Sequence, residues 1–311
     1  MNYQKGIKLA LITAVLSGIA VFFNKFAVKA VGDALIFTTL KNLGVGVVMI
    51  GVLGKRTVKK EIKWREIERK DWLKLGLIGI IGGSLPFYLF FKGLMMINPV
   101  NATLIHKTLV LWAGLGAVLI LKEKVSWKQI GVLGLIFGSN LIIGGFEGFK
   151  WGIGEAMILG ATVLWAVEQV IAKMVLRKVK TDIVVGARMI FGSCLLLLAS
   201  LVTGKMDLVL KLNLMQWGLM LATVGLLVGY VMSWYRALKS APVILVATVL
   251  SLGTIVTNIL SGIFISHWLN LELIMQSILL IAGVWFFVSN AGKISVSYLR
   301  KKADEGSIEV R

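Results

Sequence analysis

The chain has 311 residues, of which 58% are hydrophobic and 16% charged, and its 34 Lys and Arg outnumber 15 Asp and Glu for a formal charge of +19. With a mean hydropathy of +0.88 it is too apolar for an ordinary soluble domain, so the composition is that of an integral membrane protein. Nucleic-acid binding is excluded because the cations are scattered between apolar runs, and one cysteine (Cys194) with two histidines (His106, His267) makes neither a disulfide nor a zinc site; no metal or cofactor is expected.

A helix needs roughly 20 apolar residues to cross a hydrocarbon core of about 30 Å. Cutting the chain at charged, Pro and Gly/Asn punctuation predicts ten such helices, near 7–27, 34–54, 73–96, 99–121, 127–146, 152–174, 183–203, 215–237, 242–265 and 269–290. The runs are too long and too continuous for barrel strands, so the expected fold class is an all-α integral membrane protein of ten transmembrane helices. The first span follows Lys5 and Lys8, has no small-residue cleavage site behind it, and reads as a mature helix. With the N-terminus inside, roughly 25 of the 34 Lys and Arg fall on one face of the membrane. That bias predicts cytoplasmic N- and C-termini in a plasma or inner membrane. The loop from Lys55 to Trp72 reads either as a short helix on anionic headgroups or as a solvated loop that sets orientation, and the tail from Ala303 to Arg311 reads as disordered.

Taken in order, the first span carries Ser17 and Asn24 as a weak polar stripe. The second holds Lys41, roughly 10 Å deep at 1.5 Å per residue, which either serves as a gate and anion contact or snorkels to the interface. In the third, Ser84-Leu85-Pro86 precedes Tyr88. A proline inside a span bends the helix and frees a carbonyl toward a cavity, so Tyr88 is read as part of its wall. The fourth contains His106-Lys107, two adjacent polar groups that cannot both reach headgroups easily. Lys107 is expected to line a cavity, and His106 is either a proton-coupling group or an interhelical hydrogen-bond donor. Trp112 follows as an interior aromatic, and Asn140 stands alone in the fifth span.

Glu168, deep in the sixth span, is the clearest candidate, because an intramembrane charge costs roughly 2.5–3.5 kcal/mol on insertion scales. It shares a helix face with Ala161, Trp165 and Ala172. Either it binds substrate and couples protons in a cavity, or it is a fixed ion pair with Lys41, Lys107 or Arg188. Arg188, in the seventh span, matches Lys41 in position and is the second gating candidate, again with snorkelling as the alternative. The eighth span adds Tyr230 and Trp234; the ninth has a small and polar stripe of Ala247, Ser251, Thr254, Asn258 and Ser261, which packs or lines a path, with Asn258 as the contact candidate. Trp64, Trp72, Trp127 and Trp151 fall where interface belts are expected.

The chain also reads as a repeat with a shift of 144 to 148 residues. Leu16-Ser17-Gly18 aligns with Leu164-Trp165-Ala166, Leu40-Lys41 with Ala187-Arg188, and Phe91-Lys92-Gly93-Leu94 with Tyr235-Arg236-Ala237-Leu238, the last pair leading to Pro99 and Pro242. The expected division is 1–148, 149–292 and a tail 293–311. Because each half holds an odd number of spans, the second must be inverted, which is the architecture of secondary transporters with a binding site near the midplane.

In these residues the chain resembles the drug/metabolite transporter superfamily, in particular its EamA-like ten-helix members. The resemblance rests on the paired halves, Phe91-Lys92-Gly93-Leu94 leading into Asn98-Pro99, Leu121-Lys122-Glu123-Lys124 closing the fourth span, and Tyr235-Arg236-Ala237-Leu238 leading into Ala241-Pro242. It departs from that pattern in lacking prolines near Leu109 and Gly253 and a glutamate near His267. The resemblance implies a transporter, often an exporter, of amino acids or other small metabolites.

The expected substrate is small and anionic or zwitterionic, with proton coupling, with lipids as surroundings and with no nucleic acid as partner. Lys41, Tyr88, Lys107, Trp112, Trp165, Glu168, Tyr230 and Asn258 are the candidate binding residues. An exchanger of organic anions or of phosphorylated or nucleotide-linked metabolites is the first alternative; a membrane-embedded enzyme and a non-transporting receptor are the others. No Walker glycine loop is present, which disfavours ATP-driven pumping, and no enzymatic activity is expected.

Overall fold

The computed structural model describes residues 3–97, 99–139, 151–266 and 271–304, and every regular element within them is helical. Each expected span contains helix. α1 (Tyr3–Val31) and α2 (Ala34–Val58) are continuous, whereas the third span divides into α3 (Arg69–Gly83) and α4 (Leu85–Leu94), and the fourth into α5 (Pro99–Lys107) and α6 (Leu109–Leu119). α7 (Trp127–Ser139) opens the fifth span, whose remainder, with Asn140, lies outside the described residues, as do Asn98, His267 and the end of the tail. Then come α8 (Ile153–Val175), α9 (Thr181–Val202), the short α10 (Asp207–Leu210) and α11 (Leu214–Ser240). The ninth span divides into α12 (Val243–Leu250) and α13 (Gly253–Ser261), followed by a π-helical turn at Gly262–Ser266. α14 (Leu271–Asp304) runs past the expected end of its span into the tail.

Seven stretches among the described residues are long and apolar enough to cross a bilayer, α3 with α4 counting as one and α12 with α13 as another; Leu104–Leu119 and Leu273–Ser289 are shorter apolar helices. Large apolar side chains such as Leu119, Leu198, Leu221 and Ile281 stand exposed on the outside of the bundle. Such a surface is stable against hydrocarbon and unstable against water, so the chain is a multi-pass membrane protein.

The basic loop after α2 forms a three-residue 3-10 turn, Trp64–Glu66, rather than a longer surface helix. Trp64 stacks on Trp72 at 6.1 Å between centroids, its indole N–H donates to Thr57 Oγ1 at 3.0 Å, and Ile62 is buried beneath.

Polar contacts at the two ends of the bundle fix where the helices start. Gly32, at φ +78°, turns the chain between α1 and α2, a conformation glycine adopts without steric cost. Asp33 then caps α2, accepting from the amides of Leu35 and Ile36 at 2.8 and 3.0 Å, and its second oxygen accepts from Lys205 Nζ at 2.6 Å. At the opposite end Asp182 meets Arg56 at 2.8 Å and Arg236 at 3.8 Å, and Lys178 meets Glu68 at 2.7 Å. The Glu123 carboxylate accepts from the amides of Val243 and Ile244 at 2.8 and 3.3 Å, capping the first turn of α12 from the other half of the sequence.

The break between α3 and α4 positions everything at the centre. Pro86 has no N–H, so the carbonyl of Gly82, four residues earlier, loses its helical partner. Inside a membrane an orphaned carbonyl must find another donor; here the indole of Trp165 donates to Gly82 O at 3.2 Å, and Asn42 Nδ2 donates to Gly83 O at 2.7 Å. Glycines at the break let α3 press onto α9: a Cβ on Gly83 would lie 1.9 Å from Arg188 O, and one on Gly192 would lie 2.5 Å from the Gly83 carbonyl carbon. The fourth and ninth spans also break, at Thr108 and at Ser251–Leu252, without proline. There, short-range bonds such as Thr108 N–H to Ile105 O (3.1 Å) and Leu252 N–H to Val249 O (3.1 Å) tighten the turn instead.

Two predictions follow from these contacts. Gly83→Ala should destabilise the protein by about 1–3 kcal/mol through backbone displacement, read as a lower melting temperature in detergent, whereas Gly76→Ala, with open space around it, should be neutral or slightly stabilising. Burial pushes the Asp33 carboxyl up, but the Lys205 ammonium and the Ile36 and Leu35 amides outweigh it and hold the group below its ordinary value. A carboxyl whose pKa is lowered on folding contributes stability in full above its ordinary pKa and loses it as the pH falls through the lowered one. Asp33→Asn keeps the cap but not the charge, so its melting temperature should lie below that of the wild type at neutral pH, and the gap should close in strong acid.

Candidate functional site

Just beyond the break, α4 presents Phe87, Phe90 and Phe91 to α2, α5 and α8, and these rings join most of the polar candidates into one cluster. Glu168 on α8 is 1% exposed and Arg188 on α9 is 4% exposed; Arg188 Nη1 lies 3.8 Å from Glu168 Oε2. Tyr235 on α11 links them: its hydroxyl accepts from Arg188 Nη1 at 3.2 Å and donates to Glu168 Oε1. The tyrosine has a single proton and gives it to the carboxylate, so Glu168 takes part as an acceptor, while Arg188 Nε is buried with no hydrogen-bond partner among the described residues. Tyr230, five residues earlier on α11, stacks on Trp234 at 6.1 Å.

Lys41 enters the cluster from α2. Its Nζ donates to Asn24 Oδ1 at 3.1 Å and sits 5.4, 5.8 and 5.3 Å from the rings of Phe37, Phe87 and Phe91. Phe87 also carries the Arg188 guanidinium, at 5.6 Å. Both cations are almost fully buried by protein, so neither snorkels to a headgroup. Trp165 packs edge-on against Phe87 at 5.2 Å and meets Phe90 at 5.6 Å. His106 touches both Phe90 (5.0 Å) and Trp165 (5.2 Å), and its Nδ1 lies 3.4 Å from Thr162 Oγ1.

Of the sequence-predicted residues, Lys41, Trp165, Glu168, Arg188 and His106 therefore belong to one connected group, and Tyr230 packs beside Trp234 on α11. Lys107 follows His106 at the end of α5, and its buried Nζ has no hydrogen-bond partner among the described residues. Tyr88 is half-buried on α4, next to Phe87. Trp112 is 40% exposed, its indole donating to Thr108 Oγ1 one turn before it, outside the cluster. Asn258 donates to the fully buried Gln276 of α14 at 2.8 Å, a contact between α13 and α14 that involves none of the cluster's side chains.

Sequence reasoning missed Tyr235, Asn42 and the three phenylalanines. A signal for Tyr235 was present: a Tyr-Arg pair inside an apolar span, where neighbours diverge by about 100° around a helix and one can face inward while the other reaches the end. No signal distinguishes Phe87 from the chain's other phenylalanines except its place one residue after Pro86.

Comparison with known proteins agrees with this architecture. The model of the EamA-like transporter family matches residues 4–145 and again residues 152–289. An uncharacterized transporter of Synechocystis is 25% identical over 246 residues, 73% of this chain and 69% of that one. The uncharacterized transporter YyaM of Bacillus subtilis is 28% identical over 199 residues, 61% of this chain and 64% of its own length. One from Methanothermobacter thermautotrophicus is 23% identical, over 72% of this chain and 66% of its own. A crystal structure of another protein superposes with a TM-score of 0.70 at 16% identity, covering 91% of this chain and 96% of that one, a likeness of fold. The two matched segments meet in space at the buried cluster, where α2 and α4 from the first face α8, α9 and α11 from the second, and the chain belongs to the EamA-like transporter family of the drug/metabolite transporter superfamily.

Proposed function

We propose that this transporter is a secondary active carrier of a small amphipathic metabolite such as an amino acid, working by alternating access of two inverted five-helix halves, 1–148 and 149–292. In this reading the chain spans the cell membrane ten times with both termini cytoplasmic, and export is the direction. The observation that carries it is the Glu168, Tyr235, Arg188 group, fully buried yet polar, built from three helices of the second segment and set against the broken helix of the first. A protein does not retain ionised groups in a bilayer for stability alone: breaking such a pair costs about 3–5 kcal/mol, while replacing it with well-packed apolar residues is often neutral. Broken helices beside the charges expose backbone dipoles where a substrate sits, as in carriers with a site at the midplane.

Glu168 is the proposed proton-coupling group. Protonating it would remove the charge that holds Arg188 and reverse the need for the Tyr235 proton, so the group has two hydrogen-bond arrangements, each fitted to a different charge on the ligand. The charged and titratable neighbours of Glu168 are Arg188 on α9, Tyr235 and Tyr230 on α11, Lys41 across Phe87, and His106 across Trp165.

The test is counterflow in proteoliposomes, screening labelled amino acids, organic anions and phosphorylated metabolites, with Glu168→Gln beside the wild type at one acidic and one alkaline pH. Saturable flux that depends on pH in the wild type and not in the variant is expected. Flux with the same pH dependence in both would return Glu168 to a structural role, and no flux of any compound by folded protein would remove the carrier reading.

A further inference from the structure

The central cluster holds one cation more than it balances. Glu168 is matched by Arg188, but among the described residues no carboxylate lies within ion-pair distance of Lys41. The ammonium is 3% exposed, makes a single hydrogen bond to a neutral amide oxygen, and otherwise faces three phenylalanine rings. An ammonium carries three donors, so two have no acceptor among the described residues. Ring faces offset part of the lost hydration of a cation but supply no lone pair for a proton. A buried cation with an incomplete shell, in a box of apolar rings, is the arrangement that an oxyanion on an apolar body would complete.

From this geometry we infer that Lys41 is the group that selects the substrate by charge: it takes the carboxylate of a monoanionic or zwitterionic metabolite whose apolar part lies on Phe37, Phe87 and Phe91. The inference rests on the carrier reading above and deepens it. One uncompensated charge fits one carboxylate and leaves a phosphate dianion with charge in excess. Lys107 does not supply a second positive charge to the box: His106 points at Phe90 and Trp165, and the next residue projects about 100° away around the helix. Arg188 shares the Phe87 ring with Lys41 and leaves its Nε without a partner among the described residues, but its charge is matched by Glu168, so it shapes the field around the carboxylate rather than supplying the uncompensated charge. Asn24 holds the ammonium in place from α1, which makes it a positioning residue.

Three competitors of matched body test this against whichever compound shows counterflow: 3-phenylpropionate, phenethylamine and phenyl phosphate. The carboxylate is expected to compete roughly tenfold better than the other two, the value of one charge-assisted hydrogen bond. Lys41→Gln should abolish that preference and Lys41→Arg should keep most of it. Because the glutamine variant removes an unbalanced buried charge, it should melt at or above the wild-type temperature, an outcome that a purely structural lysine would not give. Lys107→Gln should leave the preference intact. Better competition by the amine or the phosphate, or a carboxylate preference that survives Lys41→Gln, would overturn the inference while leaving the carrier reading standing; absence of any counterflow in the broader screen is the separate failure of that reading.

Discussion

The missing N–H of Pro86 is the constraint from which the centre of this protein follows. In a soluble helix the carbonyl it abandons would turn to water; inside a bundle set in lipid it must be met by a side chain. Trp165 meets it, and in doing so is pinned one turn before Glu168 on α8. The neighbouring carbonyl is met by Asn42, next to Lys41 on α2. The same glycines that permit the break bring α3 against α9 at backbone distance and leave room beside Gly82 for the Glu168 and Arg188 side chains, since a Cβ there would come within 2.6 Å of Glu168 Cγ. One proline and three successive small residues thus place two cations and a carboxylate around Phe87.

How much of this was legible in the sequence differs by level. Helix positions were, because a bilayer-length apolar run bounded by charge has few other readings, and α1, α2, α8, α9 and α11 lie close to the expected limits. The bend at Pro86 was legible too. The breaks at Thr108 and Ser251 were not, since they arise from tightened turns that leave no composition mark. Within the site, Glu168 and Arg188 were each readable as buried charges, and their pairing was one of several alternatives that spacing alone does not separate. Trp112 and Asn258 illustrate the limit: both are polar or aromatic groups well inside spans, but which way a helix face turns depends on its neighbours, and an all-round apolar helix carries no stripe to reveal it. Tyr235 was hidden for the converse reason, its motif being noticed for the repeat and not for the hydroxyl.

The polar contacts of the bundle are of two energetic kinds, those that join the two matched segments at its ends and those within the second segment at its centre. At the ends, Asp33 with Lys205, Glu68 with Lys178, and Arg56 with Asp182 are ion pairs with at least one partner partly exposed. Pairs of that sort contribute about 0–1 kcal/mol each, and a few of them form and break within the range of thermal energy and ligand binding. At the centre, Glu168 and Arg188 are shielded from solvent and joined through Tyr235, where separating the charges costs several times more unless something replaces the lost partner. In the proposed carrier cycle, protonation of Glu168 is the change that would loosen the central group, while the end contacts need only be weak enough to alternate.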